Sequence, residues 1–181
     1  SITESQISDL QDYLLATDTA TIQNPWTFQS YIDLDVISAP ASPAAGTARL
    51  WAEDEQGHSV LHYTDDSGLD IEIGRDSFLV VRNSTGTTIS KGSPVYISGS
   101  NGNVPEVGLA DASLASTMPA IGIAAEDITS PGFGLVTTFG DVKIDTTGWA
   151  DGARLYVSET AGALTTTAPA QNPQLLATVI K

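Results

Sequence analysis

The 181-residue chain is 41% apolar and sets 22 acidic side chains against seven basic ones, for a net charge of −15 and no cysteine. That balance argues against nucleic acid as a partner, since binding there depends on Lys and Arg displacing counterions from phosphate, and the missing cysteines remove disulfides and thiolate metal sites. No window holds the apolar run of a membrane span and the first residues lack the basic and apolar regions of a signal peptide, while the apolar share suffices for the core of one domain or two small ones. The acids are spread along the chain, which suits solubility; docking onto a basic partner surface is the sharper reading.

Residues 1–48 contain six acidic residues and no basic one. Thr3-Glu-Ser-Gln6 is a capping-box pattern, and Ile7, Leu10 and Leu14 fall on one face at helical spacing, so a helix is expected from Thr3 to Leu15. So short a helix is unstable alone in water. Its apolar stripe must pack on its own body, on sister copies or on a partner, which makes Ile2, Ile7, Leu10 and Leu14 candidate contacts with another copy or a partner. Tyr31 to Val36 alternates strictly and reads as a half-buried strand, with Ile32, Leu34 and Val36 on one side. Ser38 to Gly46, with two prolines among small residues, reads as a linker that ends an N-terminal arm spanning 1–46.

The remainder, 47–181, reads as a β-rich body. Thr47 to Ala52 and Ser59 to Thr64 flank a polar turn, and a second turn follows at Asp65 to Gly68, so 47–73 forms a hairpin or meander. From 77 to 181, short strands are expected near Leu79, Tyr96, Val107, Ile121, Val136, Val142, Tyr156, Leu164 and Val179. That cadence belongs to an antiparallel sandwich or a small barrel. Within it, Gly92-Ser-Pro-Val-Tyr-Ile-Ser-Gly-Ser-Asn-Gly102 is matched by Gly152-Ala-Arg-Leu-Tyr-Val-Ser-Glu-Thr-Ala-Gly162. Both fit G-x-x-[VL]-Y-[IV]-S-x-x-x-G, a turn, strand, turn unit repeated, or else two hairpins obeying the same restricted grammar.

Chemistry-bearing patterns are sparse. His58 and His62 lie on one strand face roughly 13 Å apart, too far to share a metal. No G-x-S-x-G elbow accompanies a serine, and the glycines around Gly132 and Gly134 are followed by neither Lys nor a helix, as a phosphate loop requires. The pairs Asp33/Asp35, Asp65/Asp66 and Glu126/Asp127 lack calcium-loop spacing and read as solvated neighbours. No catalytic residue, metal ligand or cofactor site is therefore assigned. Trp26, Trp51 and Trp149 are candidate exposed aromatics for stacking on a sugar, although large aromatics more often serve cores and subunit interfaces.

Five stretches carry a family resemblance. Ile2-Thr-Glu-Ser-Gln-Ile-Ser-Asp-Leu10 resembles attachment segments of tailed-bacteriophage fibre proteins, and Pro40 to Gly57 resembles their P-x-x-P-x-x-G-x-x-x-[LF]-[YW] stretches leading into a hairpin. Gly92 to Tyr96, Ala120 to Ile128 and a strand from Gly134 to Val142 resemble β-rich modules of phage decoration and fibre proteins. The resemblance implies a homotrimeric, non-enzymatic virion component on the particle surface, a capsid decoration or head-fibre protein held to the major capsid protein through its N-terminal arm. The alternative is a short tail fibre that recognises host surface glycan.

Overall fold

A computed structural model describes residues 33–181, and the chain divides into a unit of Ser1–Asp35 and a compact unit of Val36–Lys181. The expected helix of Thr3 to Leu15, together with Ile2, Ile7, Leu10, Leu14 and Trp26, lies outside the described residues. The division falls after Asp35 rather than at Gly46. Residues 38–46 are tied to the hairpin that follows instead of spacing it from an arm. Ile37 donates its N–H to the Ala52 carbonyl at 2.9 Å, Gly46 N donates to Asp66 Oδ2 at 2.6 Å, and the Arg49 guanidinium donates to the Ala41 carbonyl. Pro43 is buried among these contacts. Prolines lack the N–H that a ladder needs, yet they can still be pinned through their neighbours' groups. Of the strand expected at Tyr31 to Val36, the described part is a single parallel bridge from Val36 to Ala52.

Eleven strands follow: β1 (Arg49–Glu55), β2 (His58–Thr64), β3 (Asp70–Glu72), β4 (Ser77–Asn83), β5 (Pro94–Asn101), β6 (Val104–Leu109), β7 (Gly122–Ala124), β8 (Gly132–Phe139), β9 (Arg154–Val157), β10 (Leu164–Thr165) and β11 (Leu175–Thr178). They form a three-stranded meander β1-β2-β3, a closed barrel in the order β4-β6-β5-β7-β8 and a three-stranded sheet β10-β9-β11. The protein is thus nearly all-β, with no α-helix among the described residues. Between the numbered strands pairing is antiparallel except where β4 meets β6, with Arg82 opposite Glu106 and Asn83 opposite Val107 in parallel. That pair closes the barrel, so the expected all-antiparallel arrangement is corrected at one seam.

A barrel of five strands has an interior only wide enough for side chains, and period-two alternation fills it. Val81, Ile89, Val95, Val107, Ala124, Ile128 and Val136 form this core. Asn83 is fully buried at one end of it. Its amide donates to the carbonyls of Thr87 and Ile128 at 2.8 and 2.7 Å, and its Oδ1 accepts from Thr85 N and Oγ1, so one side chain fastens the loop that follows β4. No strand forms at Val142. β8 stops at Phe139 because Gly140 turns the chain at φ +108°, where any Cβ would also meet the backbone of Asp76 at 2.8 Å.

A second core joins the barrel to the sheet of β9, β10 and β11. Ala110, Ala112, Ala120 and Val157 meet there, with Tyr96, Met118 and Leu176 packed around them. Small alanines let the two backbones approach. Ala112 N donates to the Ser158 carbonyl at 2.8 Å and Gly162 N to the Ala110 carbonyl at 2.9 Å, while the Gln174 amide satisfies both the N–H and the C=O of Ala120 at 2.8 Å each.

The two glycine-bounded segments hold equivalent places. β5 lies between β6 and β7, and β9 lies between β10 and β11. Gly92 N donates to Ala124 O at 2.8 Å and Ala124 N to Ser93 O at 2.9 Å; Gly152 N donates to Val179 O at 2.8 Å and Val179 N to Ala153 O at 2.9 Å. Gly92, Gly102, Gly152 and Gly162 all have positive φ, and Tyr96 and Tyr156 are both half-buried. The correspondence fails at Ile97, which is 50% exposed whereas Val157 is enclosed, because a bulge between Ile97 and Gly99 turns β5 outward just there.

Candidate binding cleft

The antiparallel register of the meander sorts its side chains into two faces. Arg49, Trp51 and Glu53 of β1 share a face with Thr64, His62 and Val60 of β2 and with Asp70 and Glu72 of β3. This polar face is the enclosed one: Trp51 is 4% exposed and His62 2%. The Trp51 and His62 rings stack at 4.3 Å between centroids, and Trp51 Nε1 donates to Thr64 Oγ1 at 2.8 Å. His62 Nδ1 sits 3.1 and 3.2 Å from the two oxygens of Asp70, which fixes the ring, while Nε2 is buried without a partner. Trp51 is therefore unavailable for the sugar stacking proposed from sequence. Alternation sends it to the covered face, and its indole N–H is already used. Trp149 is half-buried in a turn at 147–149.

His58 is exposed near the turn and His62 enclosed, so the two imidazoles on one face meet different surroundings. An imidazole paired with a carboxylate suggests proton transfer, but general-base work requires the free nitrogen to reach a substrate proton. Nε2 of His62 is enclosed. The His62 and Asp70 pair anchors the sheet.

Asp70 also forms part of the wall of a cleft of about 520 Å³ between the meander and the barrel, where Lys143 Nζ stands 3.7 Å from its carboxylate. Phe78, Lys91, Asp76, Glu126, Asp127 and Asp141 complete its charged and aromatic lining. Most of these acids hold backbone. Glu126 accepts from Leu135 N at 3.0 Å, Asp127 from Lys91 N at 2.7 Å, and Asp76 from both Glu72 N and Asp141 N. Asp65 and Asp66, likewise, hold the 65–69 turn and Gly46, so the carboxylate neighbours read as solvated from sequence are in part structural. Asp33 and Asp35 are exposed.

Beyond the cleft lining, Arg75 bridges Glu55 and Glu72. Burial pushes the Glu72 carboxyl up from its ordinary value, and Glu55 beside it adds to the rise against the opposing Arg75 charge. Among the described residues no three His, Cys, Asp or Glu side chains are grouped to hold a metal ion. The cleft brings two ammonium groups, unused carboxylate lone pairs and one aromatic ring to a single open surface.

The signal for the His62 and Asp70 pair was present as strand parity. Pairing Asp70 with it required the β2 to β3 register, which no sequence periodicity supplies. Comparison with protein-family models, curated proteins and solved structures finds no match to this chain.

Proposed function

We propose that this protein is a non-enzymatic structural component of a tailed-phage particle, a homotrimeric decoration or head-fibre protein that joins the capsid through the segment preceding Val36. The observation that carries the reading is the commitment of the polar side chains to the fold. Asn83, Gln174, Asp127, Glu126 and the enclosed His62 with Asp70 all hold backbone or one another, as suits a body whose task is to keep its shape. The resemblance of the N-terminal and hairpin segments to phage fibre proteins supports the same reading.

The finer architecture fits it too. We infer that the segments Gly92 to Gly102 and Gly152 to Gly162 are copies of one β unit, because the paired hydrogen bonds at Gly92/Ala124 and Gly152/Val179 repeat atom for atom. Two such units packed through alanines make a rigid body from a short sequence.

Removing residues 1–35 tests the attachment. The truncated protein is expected to keep the β-sheet signature and cooperative melt of the body and to stop binding capsids that the full chain decorates. Binding that survives the deletion would refute the attachment.

A second reading, a short tail fibre that recognises host glycan, is favoured by the cleft with Lys91, Lys143 and Phe78. It loses Trp51 as a stacking surface. Glycan-array binding that disappears in a Lys91→Ala/Lys143→Ala variant would favour it over decoration.

A further inference from the structure

The meander sheet is built inside out. The face opposite Trp51 and His62 carries Leu50 and Ala52 of β1, Leu61 and Tyr63 of β2, Ile71 of β3 and Ile73 just beyond it, in direct cross-strand register. Its charged member is Asp54, confined to the turn end. Leu50 is 54% exposed, Ile73 44% and Tyr63 37%, with Val36 at 46% extending the sheet beside β1. A half-buried antiparallel sheet normally turns its apolar face inward and its polar face to water. Here the enclosed rings lie on the polar face, while the apolar face buries Ala52, half-buries Leu61 and Ile71 and leaves Leu50, Tyr63 and Ile73 open.

We propose that this face is the surface through which copies of the chain associate, an inference that rests on the self-assembling role given above. Charge selects the occupant. With a net charge of −15, two copies repel over most of their surfaces, and an uncharged face is where they meet without opposing carboxylates. Size agrees: the bare parts of Val36, Leu50, Tyr63 and Ile73 amount to on the order of 400 Å² of apolar surface, about half of the ~800 Å² that each partner gives a stable interface. The face forms the dry centre of the contact, and polar residues around it complete the rim.

The cysteine-free chain permits a clean test. The full-length protein is measured by light scattering beside a Leu50→Asp/Ile73→Asp variant, and single-cysteine variants Tyr63→Cys and Val80→Cys are oxidised and run on denaturing gels. Val80, 54% exposed on the barrel, serves as the control. The proposal expects three chains for the parent, a threefold drop in mass for the double variant with unchanged circular dichroism, and linked dimers from Tyr63→Cys but not Val80→Cys. A parent that stays monomeric at micromolar concentration overturns both the self-assembly reading and this surface. A trimeric parent whose double variant remains trimeric, with no linkage through Tyr63→Cys, overturns the surface alone. Should the double variant misfold, the linkage pattern decides by itself.

Discussion

Trp51 and His62 face each other directly across β1 and β2, their rings stacked at 4.3 Å and both enclosed although they sit in a three-stranded meander. The stack, the Trp51 to Thr64 hydrogen bond and the Asp70 clamp on His62 give a small sheet a centre of its own. Trp51→Ala is expected to cost about 3–5 kcal/mol, the range for deleting a large enclosed aromatic, while Trp51→Phe should cost less and lose chiefly the Thr64 bond. Urea denaturation measures both. An unchanged midpoint for Trp51→Ala would show that the sheet does not depend on this stack.

The Gln174 amide closes the contact between barrel and third sheet by pairing with Ala120 N and O. Gln174→Ala leaves both backbone groups without that partner, at an expected cost of about 1–3 kcal/mol. Amide hydrogen exchange at Ala120 should accelerate in step. Protection that is unaltered at Ala120 would mean another group takes the place of Gln174.

Gly122 opens β7 where the chain passes closest to β8. A Cβ there would overlap the Thr137 carbonyl oxygen and meet Val136 Cγ1 at 2.8 Å, whereas one at Gly148 would meet nothing within 4 Å. Gly122→Ala should therefore lower stability by several kcal/mol or prevent folding, and Gly148→Ala should shift it by at most about 1 kcal/mol. Thermal melts of the two variants separate the cases, and equal melting points would contradict the close approach of β7 and β8.

Glu72 gives the protein a pH signature. Its folded value is raised, chiefly by burial, so only in the interval between the unfolded and folded values does the folded state hold a proton that the unfolded chain has released. Stability from this group is then present below the ordinary carboxylate range and falls as pH rises through the raised value. Glu72→Gln removes that penalty. The variant should melt higher than the parent near pH 7, with the gap closing below the ordinary carboxylate range, toward about pH 3, where both states are protonated. A gap independent of pH would contradict the shift.

Sequence carried a large part of this fold because the residues that set it act locally. Glycines 92, 102, 152 and 162 mark turns through their own backbone freedom, and alternation in β1 and β2 fixes which side chains share a face. What stayed hidden depends on contacts between distant residues. The parallel β4 to β6 seam, the fastening of residues 38–46 and the pairing of His62 with Asp70 each need a register or a loop path that no periodicity encodes. Strand parity also gives two faces without saying which one is covered. That is why Trp51 reads as a candidate stacking surface in sequence and is buried in the fold, while Leu50 and Tyr63 are left bare.

The most direct test of the structural role is to find the protein on the particle. An antibody raised against residues 36–181 and marked with gold is applied to intact particles and imaged. A decoration or head-fibre protein places gold over the capsid in many copies per head. Gold confined to the tail tip would transfer the role to receptor recognition, and particles free of gold, with the protein recovered only from the surrounding lysate, would contradict the account.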